Sequence, residues 1–289
     1  MEFGLSEDQR LMQDSVRRTL EKVSSLERVR AVADARDARP DDIWHALVDL
    51  GVPGLLIEEE FGGMGLKLLD AALIAEALGR FVTPVPFIAS AVMAPLAITA
   101  LGTATQKEAW LPKLASGEAI AGVAVSEQAS GAREGAGVTA SAGKLNGKSL
   151  FVLDFAAANV FVVADNAGGL HLVPADAKGV TKIDLTSIDL TRSLGELRFD
   201  NVTAEPLDQG DAKATLQRML DAGRIMLAAD VLGAGWMMID KAVDYAKERK
   251  QFGRVIGSFQ AVKHLCAEMA SEIEPGRSLV WYAAHAFDE

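Results

Sequence analysis

The sequence predicts a multidomain chain of α and β parts: an all-α N-terminal domain, a small β-barrel or sandwich, then a C-terminal helical bundle that reads as incomplete. Helical periodicity with capping signals runs to about residue 118. Short β-rich runs broken by Gly, Asn-Gly and Asp turns follow from residue 119. Helical spacing returns from Asp211. The expected domains are therefore 1–118, 119–210 and 211–289. No internal repeat or low-complexity linker separates them.

Residues 6–30 open with Ser6-Glu7-Asp8-Gln9, a capping box, and carry Leu11, Met12, Val16, Leu20 and Val23 on one side. One long amphipathic helix is expected. Its tail, with Arg28, Arg30, Arg36 and Arg39, reads as a solvated face. Asp41-Asp42 start a second helix with Ile43, Trp44, Leu47 and Leu50, ended by Gly51. Residues 51–65 are punctuated by glycine but hold no GxGxxG or GK[ST] pattern, so a tight surface loop is expected. Further helices are expected at 68–78, 88–101 and 106–115. The last is read with a Thr105…Glu108 box and a Gly117 stop. Strands are expected in AIAGVAV, GVTAS, KLNGKSLFVL, NVFVVAD, GLHLVPA and LGELRFDNV. A long helix then runs from 214 to 249. Gly233 and Gly235 mark close helix packing on it.

Composition excludes several classes. The 289 residues are 49 % hydrophobic and 24 % charged, with a net charge of −11. An acidic chain lacks the basic face that nucleic acid requires. One cysteine, Cys266, allows no internal disulfide; it points to a reducing, cytoplasmic compartment and reads as an inert core thiol. The histidines at 45, 171, 264 and 285 have no metal spacing. Glu2, Glu7 and Asp8 precede any apolar run, unlike a signal peptide. Residues 81–102 carry no charge, but Pro84, Pro86 and Pro95 favour a buried helix over a membrane span.

The most informative stretch is 241–269, KAVDYAKERKQFGRVIGSFQAVKHLCAEM. A helix breaks at Phe252-Gly253 and restarts with Ser258 as expected N-cap, followed by Ala261, Leu265, Ala267 and Met269. Arg249, Lys250, Gln251 and Arg254 surround the break. Cations beside helix-end amides can hold a phosphate group. A solvated turn between bundle helices is the other reading of the same residues.

The α–β–α order, together with AVDYAKERKQFG-x4-FQAVKH at 242–264, LIAEALGR at 73–80 and LNGKSLFVL at 145–153, resembles the acyl-CoA dehydrogenase family along the whole chain. The resemblance implies a flavoenzyme that holds FAD between the β domain of one subunit and the helical domain of a neighbour. A glutamate takes the α-proton of an acyl-CoA thioester, the β-hydride goes to the flavin, and an electron-transferring flavoprotein accepts the electrons. It implies a homo- or hetero-oligomer, dimer or tetramer. Arg249, Gln251 and Phe252, then Ile256, Phe259 and Gln260, would reach the neighbour's FAD. Val125, Ser126, Phe151 and Val152 would line the chain's own flavin. Arg224 would sit near the substrate pocket; a buried ion pair with Asp221 or Asp230 is the alternative.

Other positions depart from the family's pattern. Where the family reads close to T-E-P-x-x-G-S-D, this chain has Ser126-Glu127-Gln128-Ala129-Ser130-Gly131-Ala132-Arg133. Ala132 cannot donate a hydrogen bond, and Leu153 stands where a hydroxyl is usual. The family's usual catalytic glutamate falls past Glu289, where a truncated chain would lack it, and the minority position is Gly223. No catalytic base is expected within these residues. Three readings follow: an acyl-CoA dehydrogenase, a partner subunit that completes another chain's FAD site, or a flavin-free scaffold.

Overall fold

The computed structural model describes residues 4–37 and 39–289; Glu2, noted above, lies outside them. The expected first helix is two, α1 (Glu7–Val23) and α2 (Leu26–Ala35). The Ser6–Gln9 box caps α1 in both directions. The break falls at Ser24, which is buried and donates to Phe81 O and Thr83 Oγ1 at 3.4 and 3.3 Å. A continuous helix would turn that hydroxyl elsewhere. Helix α3 (Asp41–Val48) carries Asp42, which binds Arg28 through two contacts of 2.6 and 2.8 Å. That pairing holds the Asp42 carboxyl below its ordinary range. Arg28 is thus a paired group rather than part of a purely solvated face.

Residues 51–65 form two short 3₁₀ turns, and Val52, Leu55 and Ile57 are buried. The expected surface loop is half core, because its apolar residues outnumber what the glycine spacing alone conveys. Helix α4 (Leu68–Arg80) is buried along most of its length. The uncharged segment is buried as expected, but it starts as a π-helical turn, Ile88–Met93, before α5 (Ala94–Leu101). Pro95 lies in the first turn of α5, at its junction with the π-helical turn. Helix α6 (Ala104–Ala115) corrects the expected cap. Thr103, not Thr105, is the N-cap; its hydroxyl accepts from Gln106 N, and the Gln106 side chain accepts from Thr103 N.

The middle region is one curled sheet. Strand β1 (Ala121–Ala124) leads to a one-turn helix, α7 (Ser126–Ser130). Then come β2 (Gly137–Ser141), β3 (Lys144–Leu153), β4 (Val160–Ala164), β5 (Leu170–Pro174), β6 (Val180–Asp184), β7 (Leu194–Thr203) and β8 (Glu205–Leu207). The order is β6-β7-β3-β1-β4-β5-β8, with β2 on β3. Only β1 and β4 pair in parallel among the described strands. Val152, Phe155, Phe161, Leu197 and Phe199 fill its core.

Helix α8 (Ala212–Glu248) is followed by a hairpin of β9 (Lys250–Gln251) and β10 (Arg254–Val255), a 3₁₀ turn, and α9 (Gln260–Asp288). The described chain divides into two compact units. One holds residues 4–26, 68–83 and 225–289, the other 27–37, 39–67 and 84–224; α8 contributes to both.

In the first unit, α4 and α8 exchange close contacts. A Cβ on Gly79 would lie 2.0 Å from Asp230 O, and one on Gly233 only 1.9 Å from Glu76 O. A Cβ on Gly235 would meet Ile273 at 2.2 Å, so both glycines singled out on α8 are packing glycines. Asp288 accepts from Leu68 N and Leu69 N at 3.0 and 3.3 Å and so caps α4 from the far end of α9.

Two expectations about α9 fail. Ser258 lies inside the 3₁₀ turn and donates to Val255 O, so the N-cap is Phe259. Leu265, Ala267 and Met269 are exposed, and Cys266 is half-buried rather than core; the buried residues of α9 are Val280 and Ala284. Among the described residues one helix, α8, is long and apolar enough to cross a membrane, and its apolar window is 39 % buried within the protein.

Candidate functional site

The hairpin after α8 assembles the residues expected to hold FAD. Arg249 N donates to Tyr245 O at 2.9 Å, ending the helix, and Ile256 N donates to Arg249 O at 2.7 Å, closing the loop behind the hairpin. Gln251 pairs with Arg254 and Lys250 with Val255. Phe252 and Gly253 form the two-residue turn, both with positive φ, 52° and 77°. That geometry suits Gly253 and strains Phe252, at about 1 kcal/mol. The strained ring is 92 % exposed. It meets Phe259 edge-on at 6.1 Å, and the Arg254 guanidinium lies 4.1 Å from the Phe259 ring centre.

Arg249, Gln251 and Gln260 are exposed, and Ile256 and Phe259 half-buried. All six expected residues therefore share one turn, joined by Arg254, which stacks on an aromatic face. The alternation of cations with aromatics in 249–259 was the sequence signal for it.

The β-domain residues behave differently. Helix α7 is bolted to β3. The Ser126 hydroxyl donates to Leu150 O. The Glu127 carboxylate accepts from Leu150 N at 2.7 Å and from the fully buried Ser149 hydroxyl at 2.6 Å. Gln128 donates to Asp165 O at 2.8 Å. Both main-chain polar groups of Leu150 are thus held from one turn of helix. A register shift follows between Ser149 and Val152, and Phe151 takes φ +52° with its ring partly exposed. The Arg133 guanidinium lies 4.8 Å from the Phe151 ring centre.

Of the four expected flavin contacts, only Phe151 presents a side chain. Val125 and Val152 are buried in the core, leaving main chain alone to reach a ligand, and the Ser126 hydroxyl is already committed to Leu150. Sequence reasoning missed Glu127 and Arg133 as organisers here. The Glu127–Ser149 contact joins residues 22 apart, beyond any local pattern.

Beside this segment, Asp154 accepts from Ala89 N at 3.1 Å. Burial pushes its carboxyl up to about 6; the Ala89 amide and the Arg192 charge oppose that only in part. Arg224 pairs with Asp221 at 2.9 Å but is largely exposed, so it is not the buried ion-pair partner of the alternative reading. A Cβ on Gly223 would sit 3.0 Å from Met93 Sδ, so that position is tightly packed as well as free of any base. Among the described residues no group of His, Cys, Asp or Glu could hold a metal.

FAD fits the two segments unequally. The hairpin offers exposed cations and aromatic faces, which suit a pyrophosphate and an adenine. The β-domain segment offers the Phe151 face and main chain, which suit a flat apolar ring system better than its polar edge.

Sequence and structure comparisons place the chain among known proteins. The profile "Acyl-CoA dehydrogenase, N-terminal domain" matches residues 6–118, and "Acyl-CoA dehydrogenase, C-terminal domain" matches 213–289. The chain is 30 % identical to acyl-CoA dehydrogenase IpdE2 of Mycolicibacterium smegmatis, over 96 % of this chain and 76 % of that protein. The solved Tcur3481-Tcur3483 steroid ACAD variant is 32 % identical, with a TM-score of 0.86 over 97 % of this chain and 78 % of that one. A glutaryl-coenzyme A dehydrogenase in complex with glutaryl-CoA is 26 % identical, with a TM-score of 0.90 over 100 % of this chain and 79 % of that one. With both terminal regions matched and the fold shared, the chain belongs to the acyl-CoA dehydrogenase family of FAD-dependent oxidoreductases.

Proposed function

We propose that the chain takes part in the α,β-dehydrogenation of an acyl-CoA thioester, and that its hairpin closes on the FAD of a neighbouring subunit. The observation that carries this is Phe252. A 92 % exposed aromatic held in a strained turn, beside Arg249, Gln251 and Arg254, has only the Phe259 edge to pack against in an isolated subunit. It gains a stacking surface when a cofactor and a second subunit cover it.

FAD supplies the hydride acceptor when bound. This chain's part is to hold the cofactor's phosphates and adenosine through residues 249–260 and to pack Phe151 on the ring. Electrons would pass to an electron-transferring flavoprotein. A solved structure 26 % identical to this chain, with a TM-score of 0.85, bears the name of such a flavoprotein, from Acidaminococcus fermentans. The compartment would be cytoplasmic, in keeping with one half-buried, unpaired cysteine.

A second reading has its own observation: the Ser126 hydroxyl is spent on Leu150 and Arg133 lies against Phe151. A chain so built would complete a partner's flavin site within a heteromeric dehydrogenase. A two-component precedent exists by name in the ChsE4-ChsE5 complex of Mycobacterium tuberculosis, 25 % identical with a TM-score of 0.88.

The flavin spectrum decides. Bound FAD in the chain alone, with dehydrogenation of an acyl-CoA, supports the first reading. Bound FAD only in a complex with a second dehydrogenase subunit supports the partner reading. No FAD under either condition overturns both and leaves the flavin-free scaffold.

A further inference from the structure

Among the described residues, five buried side-chain nitrogen or oxygen atoms have no hydrogen-bond partner within the protein. Four of them, Glu76 Oε2, Arg80 Nε, Trp236 Nε1 and Trp281 Nε1, belong to residues that line a single cavity of about 270 Å³. Arg17 of α1 and Arg277 of α9 complete its charged wall. Native interiors leave very few such atoms unpaired, because each one lost its hydration without gaining a partner. A cluster of four in one cavity is the signature of a site rather than of scattered defects.

The chemistry of the cluster is lopsided. Three of the four atoms are N–H donors, and an indole nitrogen can only donate. One lone acceptor, Glu76 Oε2, cannot serve all three. The Trp281 indole lies near enough to Glu76 to help hold down its proton affinity, yet outside hydrogen-bond geometry. Burial outweighs these attractions and leaves the Glu76 carboxyl above its ordinary range.

The arginines are partly engaged already. Arg80 binds Asp240 at 2.6 Å, and Arg277 reaches Glu76 at 3.3 Å and Glu274 at 2.9 Å while lying 5.2 Å from the Trp236 ring centre. Arg17 is held only loosely, 3.9 Å from Glu21. Within the cavity wall, three arginines face one carboxylate, Glu76; Asp240, Glu274 and Glu21 balance them from outside it. With Glu76 that makes four carboxylates against three arginines, so the surroundings have no positive charge to spare for a dianion. The donors call for a ligand with clustered acceptor atoms and little bulk.

We propose that this cavity binds a small carboxylate monoanion, received by Arg80 Nε and the indole N–H groups of Trp236 and Trp281. None of these residues belongs to the FAD hairpin or the flavin segment, so the site stands apart from the dehydrogenase machinery described above.

The four tryptophans give a direct test. The 289-residue chain is labelled at the indole nitrogens and titrated with acetate, butyrate and inorganic phosphate. Two indole resonances are expected to shift saturably with a carboxylate, while that of Trp44, which donates to Gly117 O at 3.0 Å, stays in place. Trp236→Phe and Trp281→Phe should each weaken binding about tenfold, the value of one lost hydrogen bond to a charged group. Glu76→Gln removes the like charge and should tighten binding several-fold; it also tests the site should either indole variant fold poorly. Equal drift of all four resonances, phosphate binding without carboxylate binding, or weaker binding in Glu76→Gln would overturn the proposal.

Discussion

Asp154→Asn should stabilise the protein near neutral pH and do so much less in acid. The carboxyl accepts one amide, Ala89 N, and is otherwise buried just past the end of β3. Its folded value of about 6 stands above the ordinary 3.8. A raised value means the folded state prefers the neutral carboxyl. That preference contributes stability fully present below about 3.8, and the contribution is lost as pH rises through about 6.

The two values correspond to about 3 kcal/mol of cost at about pH 7.5, falling to about 1 kcal/mol at about pH 4.5. Solvent reaches part of the residue, so an observed gain of roughly 1–3 kcal/mol near neutrality is the expected result. Asparagine keeps an acceptor for Ala89 N and carries no charge. The assay is urea unfolding of wild type and variant at both pH values, read as the difference between the two proteins so that other carboxylates cancel. A gain that does not shrink in acid would refute the reasoning. So would a variant less stable than wild type near neutrality.

Arg249→Ala should weaken FAD retention by tenfold or more in whichever assembly binds flavin, because a charge-assisted phosphate contact is worth roughly 1.5–3 kcal/mol; unchanged retention by equilibrium dialysis would sink the clamp. Gly233→Ala should cost at least roughly 2 kcal/mol despite alanine's helix preference of ~1 kcal/mol, since its Cβ would overlap Glu76 O; thermal unfolding decides. Asp288→Ala removes the acceptor from two α4 amides and should cost about 1 kcal/mol by the same measurement. Glu127→Ala strands the Leu150 amide and the buried Ser149 hydroxyl, so a loss of roughly 2–4 kcal/mol is expected, with Phe151 freed from its turn; chemical unfolding and the Phe151 backbone shifts report the two effects.

Much of the helical fold was legible because its signals are local. The Ser6–Gln9 box and the Gly117 stop, with its positive φ of 69°, each rest on residues within about one turn. The errors came where two local patterns compete or none exists. Thr105…Glu108 imitates a box that Thr103…Gln106 makes, and only backbone conformation separates them. Strand β6, VTKID, hides because Thr181, Lys182 and Asp184 are all exposed, so neither an apolar run nor an alternation shows. Helix α7 is too short for any period to show.

The site divided in the same way. Residues 249–260 are contiguous, so one stretch of sequence displayed the whole hairpin. The hold of Glu127 and Ser126 on Leu150, and of Arg133 on Phe151, joins distant positions that only the folded sheet brings together.

The reciprocal glycine contacts between α4 and α8 bear on motion. Each helix admits the other's carbonyl at a position where even one carbon would collide. Packed helices ordinarily accommodate ligands by sliding past one another on flexible side chains. Here the backbones themselves interlock in both directions, and a slide of either helix drives a carbonyl into a Cα. Shear between α4 and α8 is therefore blocked, and this unit behaves as a rigid anvil. The hairpin at the far end of α8 is thereby carried by a helix that cannot slide against α4.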